Sequence, residues 1–248
     1  MPNHGHRDGT GAQAGRFATT HWSVVLAAGH SSSLQHQPAL SQLCHTYWYP
    51  LYAYLRRHGC DAHQAADHTQ AFFTRLLEKE TLKRVKPEGG KFRSFMLTAL
   101  KHFISNERVR AAAQKRGGGR AILSLNLEDA ENQYVLEPAD DLTPDKLFEK
   151  SWALTLLKRA MDRLEAEMAA KGKQALFGQL KGYLAAETET IPYQKVAATL
   201  NMTEGTVRVS VHRLRRRCRA LLRDEIAQTV TSSEEVDDEI HDLFTALG

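Results

Sequence analysis

The strongest constraint on the fold is a run of apolar residues with helical spacing. Between residues 40 and 55 the apolar positions fall at i, i+3, i+4 and i+7 and continue without a break, as on one face of an α-helix. Pro50 lies inside this stripe, where we expect it to kink or divide the helix. Stripes of the same period lie at 65–76, 92–104 and 152–164, and no segment alternates apolar and polar residues over the length of a strand. The sequence therefore predicts an all-α fold.

Length and composition favour a soluble protein with two small domains. The chain has 248 residues, of which 42% are hydrophobic and 25% are charged. No run approaches the roughly 20 apolar residues that a membrane helix requires, and residues 1–15 lack the apolar stretch of a signal peptide. We therefore expect a cytoplasmic protein without membrane insertion.

Cysteine and histidine content gives little support to a metal site or to disulfides. The three cysteines are odd in number and lack CxxC spacing. Ligand-type residues cluster between His58 and His68, but no HExxH, P-loop or GxSxG motif accompanies them. We expect no metal, no cofactor and no catalytic residues, and we interpret the chain as a binding protein rather than an enzyme.

Charge is segregated into blocks along the chain. Residues 83–120 carry 11 Lys and Arg against two acids, and residues 191–223 carry eight against one. Residues 121–150 carry eight acids against two Lys, and residues 224–248 carry eight acids and no Lys or Arg. This pattern suits a protein that binds a polyanion at two places, although solvated helix faces produce the same totals.

Residues 191–217 have the pattern of a helix-turn-helix motif. Pro192 suits the start of a short helix, Asn201 suits the turn, and Thr203 suits the cap of a second helix. The core stripe of the second helix begins at Val207, and helical geometry turns the opposite, arginine-rich face outward.

The outward face of this second helix has side chains suited to duplex DNA. Arginine bonds guanine bidentately and an aliphatic group packs on a thymine methyl, so Arg208, Val209 and His212 are predicted to contact bases. Later arginines are predicted to contact phosphates. An arginine-rich solvated helix is the alternative. The full set predicted to bind duplex DNA is Thr206, Arg208, Val209, His212, Arg213, Arg215 and Arg216.

Two motifs in the first half sharpen this interpretation. A D-x-x-Q capping box at residues 61–64 begins a helix that contains Asp67-His-Thr-Gln-Ala-Phe-Phe-Thr-Arg-Leu-Leu77, and Phe92 to Arg110 follows. These two segments resemble the conserved helices of sigma region two, and the helix-turn-helix resembles sigma region four. Over about residues 20–225 the chain resembles an RNA polymerase sigma factor of the extracytoplasmic-function (ECF) group.

The resemblance implies a specificity subunit that binds core RNA polymerase, directs it to promoter DNA and helps to melt that DNA. In this family a helix with a second D-x-x-Q pattern, which corresponds to residues 67–70 here, docks on the clamp helices of the β′ subunit. By motif match, this role falls to Asp67, Gln70, Phe73 and Thr74. The helix-turn-helix would contact the minus-thirty-five element.

By the same resemblance, residues 92–110 and the preceding loop capture the single-stranded minus-ten element. Basic grooves hold single strands, and this helix has a basic and polar face. Phe95 and Phe103 lie on its apolar stripe, which favours the core over base stacking. Lys83 and Arg84 in the loop are an alternative base pocket. The residues assigned to the helix face are Lys91, Arg93, Thr98, Lys101 and Arg108.

Composition and motifs together divide the chain into five parts. We expect a disordered tail at 1–19, a region-two-like domain at 20–115, an acidic flexible linker at 116–150, a region-four-like domain at 151–225 and an acidic C-terminal extension at 226–248.

The acidic extension has two interpretations. One hypothesis is that residues 232–242 fold back on a basic DNA-binding face and restrain the free protein, because eight acids follow a strongly basic block. The favoured alternative is a short packed amphipathic helix. Its apolar positions are Val236, Ile240, Leu243 and Phe244.

The competing function is a helix-turn-helix regulator that binds a duplex operator as a dimer. A sigma factor differs because we expect it to bind core polymerase as a monomer. The resemblance leaves open whether an anti-sigma or other regulatory partner exists.

Overall fold

The computed structural model describes residues 23–29, 36–78, 90–113, 127–136, 142–184, 192–230 and 232–248, together with Leu34, Leu82 and Val85. Regular structure in these ranges is entirely helical, which confirms the predicted all-α fold. A 3-10 turn at Lys181–Tyr183 accompanies ten α-helices in the same ranges. These are α1 (Ser23–Gly29), α2 (His36–Arg57), α3 (Ala62–Glu78), α4 (Phe92–Ala113), α5 (Leu127–Leu136), α6 (Pro144–Ala170), α7 (Gln174–Leu180), α8 (Tyr193–Thr199), α9 (Glu204–Ala227) and α10 (Ser233–Leu247).

Helix α2 carries the apolar stripe from which the fold was predicted, and it lies at the centre of the core. Tyr47, Leu51 and Leu55 on this stripe are fully buried. The helix continues through Pro50 to Arg57 rather than dividing there. Proline removes one backbone hydrogen bond, and burial of the side chains on both sides of it holds the helix together.

Helices α3 and α4 complete the N-terminal half. The predicted capping box begins α3, since Asp61 Oδ1 accepts the Gln64 N–H at 2.8 Å and Gln64 Oε1 accepts the Asp61 N–H at 3.3 Å. The ring of Phe92 meets Tyr47 of α2 edge-on, with ring centres 5.5 Å apart. This contact attaches the first turn of α4 to the core.

The structure differs from the flexible linker predicted at 116–150. Helix α5 lies inside this range, and α6 begins inside it. Arg56 of α2 binds Glu131 of α5 through two hydrogen bonds of 2.6 and 3.0 Å, and the Tyr52 hydroxyl also donates to this carboxylate. A ten-residue helix with a short apolar pattern depends on such tertiary contacts, which leave no local sequence signal.

Helix α6 joins the two halves of the molecule. It packs on α2, α9 and α10, and its Phe148 and Trp152 are buried. The buried residues of both halves therefore form one continuous apolar core. No helix in the described ranges is both long and apolar enough to cross a membrane.

The acidic extension forms helix α10, as the amphipathic pattern predicts. Val236 and Leu243 are buried, Ile240 is half-buried, and Phe244 is 58% exposed. The expected packing therefore holds for the first three positions and not for Phe244, which lies on the solvent side. Ser232 caps the helix by accepting the Glu235 N–H at 3.3 Å.

Candidate nucleic-acid interface

The helix-turn-helix is formed by α8 and α9. Asn201 turns the chain between them with a φ of 51°, a left-handed conformation that asparagine tolerates better than most residues. Thr203 caps α9 by accepting the Thr206 N–H at 3.2 Å. Val196 and Val207 are buried where the two helices meet, so the packing fixes which face of α9 points outward.

The outward face of α9 contains every residue that the sequence analysis assigned to duplex DNA. All seven are exposed, and Val209 exposes 49% of its surface despite being aliphatic. An exposed valine among arginines is the arrangement expected for a helix that contacts base edges in the major groove. The seven residues are Thr206, Arg208, Val209, His212, Arg213, Arg215 and Arg216.

Two further residues at this site were missed by the sequence analysis. Glu204 binds Arg208 through hydrogen bonds of 2.6 and 3.2 Å, and Tyr193 of α8 lies under the same guanidinium group. The hydrogen bond from Arg208 to Glu204 raises the pKa of the arginine. The i, i+4 spacing of Glu204 and Arg208 was the signal in the sequence, whereas nothing local indicated Tyr193.

The arginines further along α9 differ in their surroundings. Arg215 donates two hydrogen bonds of 2.8 and 3.1 Å to the carbonyl oxygen of Tyr183, and Arg217 binds Glu167 of α6 at 2.5 Å. These two side chains anchor the helix to its scaffold. Arg213 and Arg216 point to solvent and leave their charge on the outward face.

On α4, the residues assigned to single-stranded DNA separate into two groups. Thr98 and Lys101 are exposed, and Lys101 pairs with Asp145 at the start of α6. Arg93 is only 6% exposed, so it lies outside the exposed polar face on which the sequence analysis placed it. The side chain of Arg108 and the alternative loop residues Lys83 and Arg84 lie outside the described part of the chain.

Arg93 lies at the centre of a charged cluster between α4, α6 and α10. It donates to Glu239 at 2.7 Å and to Asp242 at 2.5 Å, and it also binds Glu149. Its guanidinium carbon lies 4.8 Å from the centre of the Trp152 ring. Lys91 pairs with the same two acids of α10. Arg93 can be buried because three carboxylates compensate its charge. All three come from distant segments of the chain.

The pKa values in this cluster follow from burial and from the excess of acids. Burial opposes the charge of Arg93, but the carboxylates of Glu239 and Glu149 outweigh it and raise the arginine pKa. Burial raises the pKa of Glu149, and the neighbouring carboxylates oppose the effect of Arg93. The pKa of Asp242 is lowered, since Lys91 and Arg93 overcome the opposing effect of burial.

The four residues matched to the polymerase-binding motif do not share one surface. Asp67 is exposed, and Gln70 and Thr74 are half-buried on the same side of α3. Phe73 is 1% exposed and packs edge-on against Phe72, so its side chain belongs to the core. Phe73 therefore supports this surface from inside.

A groove with a volume of about 420 Å³ separates α3 from α4. Phe95 is half-buried there. Phe103 is 6% exposed and packs edge-on against Phe72, with ring centres 5.8 Å apart. Thr98, His102 and Asn106 add polar groups beside these rings. Among the residues described, no group of three or more His, Cys, Asp and Glu side chains is placed to hold a metal ion.

An all-α fold that presents an exposed basic helix in a helix-turn-helix defines a DNA-binding protein of the helix-turn-helix class. The family model for ECF sigma factors matches residues 53–224, and the chain belongs to that family, whose members direct transcription initiation. It is also similar to the ECF RNA polymerase sigma factor SigE of Mycolicibacterium smegmatis, with 24% identity over 211 residues that cover 85% of this chain and 71% of that protein. No solved structure matches the chain.

Proposed function

We propose that this chain is a promoter-specificity subunit that binds core RNA polymerase, contacts the minus-thirty-five element through α9 and captures the minus-ten strand along α4. The observation that carries the proposal is the outward face of α9, where all seven residues expected to bind DNA are exposed, although Arg215 also bonds to the Tyr183 carbonyl. This helix lies inside the segment that matches the ECF sigma factor family.

Helix α9 is suited to double-stranded DNA. Arg208 and Val209 lie near its N-terminus, which is the part of a recognition helix that reaches base edges. Arg213 and Arg216 lie one to two turns further on, where phosphate contacts supply affinity without sequence information. The helix therefore supplies both base contacts and phosphate contacts from one face.

Helix α4 is suited to a single strand. Thr98 is exposed and lines the groove in which Phe95 is half-buried, and Lys101 is exposed elsewhere on the helix. Single strands bind where cations follow the backbone and aromatic rings accept bases. The pair between Lys101 and Asp145 is exposed on both sides and weak, so a DNA phosphate competes for the lysine readily.

Helix α3 carries the proposed contact with the β′ clamp helices of core polymerase. Asp67, Gln70 and Thr74 supply polar groups on one side of the helix, and buried Phe73 fixes its position. In this proposal residues 20–115 form the polymerase and minus-ten unit, and residues 151–225 form the minus-thirty-five unit. The chain acts as a binding subunit and performs no catalysis of its own.

The test is transcription by purified bacterial core polymerase on a pool of genomic fragments, with and without this protein. New start sites that share two spaced upstream elements are expected, together with co-elution of the chain with core polymerase. Arg208→Ala should reduce initiation from these sites by about tenfold or more if the arginine bonds guanine bidentately.

Lys158→Ala is the matched control, because it also removes one exposed cation that pairs with an acid four residues away. It should leave initiation unchanged. Binding of duplex DNA as a dimer, without co-elution with core polymerase and without new start sites, would overturn the proposal and favour an operator-binding regulator.

A further inference from the structure

We propose that helix α10 is a built-in restraint that holds Arg93 of α4 and Lys91, which immediately precedes α4, away from single-stranded DNA until α10 is displaced. This inference rests on the proposed function, since it concerns the regulation of the same minus-ten surface. The restraint consists of Glu239 and Asp242 of α10, which bind both cations.

The contacts enclose the guanidinium group of Arg93, whereas Lys91 keeps 35% of its side chain exposed. The side chain of Arg93 is 7% exposed and that of Glu239 is 3% exposed, with 2.7 Å between the bonded atoms. Asp242 covers the remaining face of the guanidinium group at 2.5 Å, and Glu149 of α6 closes the third side. A DNA phosphate needs the same hydrogen-bond donors, so strand binding and the closed cluster exclude each other.

The charge balance of the cluster disfavours DNA in the closed state. Three carboxylates surround Lys91 and Arg93, and Asp145, Lys146 and Lys150 line the same cavity, so the closed region has four acids against four cations. Such a neutral surface attracts a polyanion only weakly. Displacement of α10 would remove Glu239 and Asp242 and leave this region with an excess of two positive charges.

The energetics favour a contact that can open. Ion pairs buried away from water repay little of the cost of removing two charges from solvent, so they contribute less stability than an apolar contact of the same size. A phosphate that replaces the carboxylates restores the same charge-assisted bonds. The cluster is therefore suited to an exchange of partners rather than to permanent support of the fold.

Helix α10 is placed to act on both predicted DNA-binding elements at once. Val236 and Leu243 anchor it in the core, and Asp237 on its outer side pairs with Arg223 of α9. One helix thus contacts α9 through Asp237 and α4 through Glu239 and Asp242. It also follows the family-matched segment, which ends at residue 224.

The test compares two full-length variants in which two acids of α10 lose their charge without a change of shape. Glu239→Gln with Asp242→Asn loosens the restraint, and Glu234→Gln with Asp238→Asn removes the same charge from exposed positions of the same helix. The probe is a fluorescein-labelled single-stranded DNA of random sequence, with binding followed by anisotropy over a range of salt concentrations.

Release of two cations should raise the affinity of the first variant severalfold above that of the second. The slope of log affinity against log salt concentration should also become steeper by about 1.4, since each phosphate contact on a single strand contributes roughly 0.7 to this slope. Adding Arg93→Gln to the first variant should remove about half of this gain, because Lys91 remains. Hydrogen exchange of the core helices verifies that all three variants remain folded.

Equal affinities and slopes for the two double variants would overturn the restraint. The transcription assay with core polymerase separates this failure from that of the proposed function. If the wild-type chain directs new start sites while the two double variants have equal salt slopes, only the restraint is wrong. If neither the wild-type chain nor the variants co-elute with core polymerase or direct start sites, both proposals are wrong.

Discussion

The guanidinium carbon of Arg208 lies 5.3 Å from the centre of the Tyr193 ring. This contact joins the two helices of the helix-turn-helix, and Tyr193 in turn stacks on Tyr183 with ring centres 4.8 Å apart. Glu204 binds the same arginine from one turn earlier in α9. These two contacts favour one orientation of an arginine that stays 64% exposed at the start of the proposed recognition helix.

Glu204→Gln should relax promoter discrimination while it strengthens non-specific DNA binding. Loss of the carboxylate frees Arg208 to adopt more rotamers, which weakens a directional bond to a base. It also removes a negative charge beside the phosphates, so affinity for random duplex DNA should rise. Competition binding with promoter and random duplexes measures both changes. Glu165→Gln, which changes an exposed acid on α6, is the control and should alter neither.

Asp67→Asn should weaken polymerase binding, whereas Phe73→Ala should lower stability, although both residues lie in the polymerase-binding motif. Asp67 is exposed, so its substitution should change stability by less than about 0.5 kcal/mol and weaken co-elution with core polymerase. Phe73 is buried, so its truncation should cost about 3–5 kcal/mol in urea unfolding. A stable Phe73→Ala protein would contradict the placement of this side chain in the core.

The elements that could be predicted from the sequence are those whose evidence is local. The stripe of α2, the capping box at Asp61 and Gln64 and the turn at Asn201 each depend on residues within a few positions of one another. Phe73 fits two local patterns with different consequences, because it lies both on the apolar stripe of α3 and in the polymerase-binding motif. Burial decides between these assignments, and it places the side chain in the core.

Contacts between distant segments could not be predicted in this way. Arg93 meets acids that lie 56 to 149 positions further along the chain, and Arg56 meets an acid 75 positions away. In the sequence these arginines resemble any other cations on a polar face. Helix α5 and the charged cluster at α10 were therefore accessible only from the folded structure.

Glu131→Gln should loosen α5 and reduce the acid sensitivity of the fold. The hydrogen bond from Arg56 lowers the pKa of Glu131 against the opposing effect of burial. A carboxyl whose pKa is lower in the folded state stabilises the fold at neutral pH, and this contribution disappears as the pH falls through the lowered pKa. Because both partners are partly exposed, the loss at neutral pH should be about 1 kcal/mol.

Urea unfolding at neutral pH and again below the ordinary pKa of glutamate measures this difference. The difference in free energy of unfolding between wild type and Glu131→Gln should be smaller at the acidic pH. Hydrogen exchange should increase across residues 127–136 in the variant. Asp129→Asn, which changes an exposed acid on the same helix, is the comparison protein. An equal gap at both values of pH would contradict an ionised Glu131 as the anchor of α5.

Neighbouring arginines of α9 should separate into scaffold and DNA-contacting residues. Arg216 is exposed on the outward face, so Arg216→Ala should reduce the salt dependence of duplex binding by about 0.9 and leave unfolding unchanged. Arg215 donates two hydrogen bonds to the Tyr183 carbonyl, so Arg215→Ala should lower stability more than Arg216→Ala does. Salt titrations of promoter binding, paired with urea unfolding of the same preparations, measure both effects. Identical behaviour of the two variants would show that the bond to Tyr183 does not distinguish these arginines in solution.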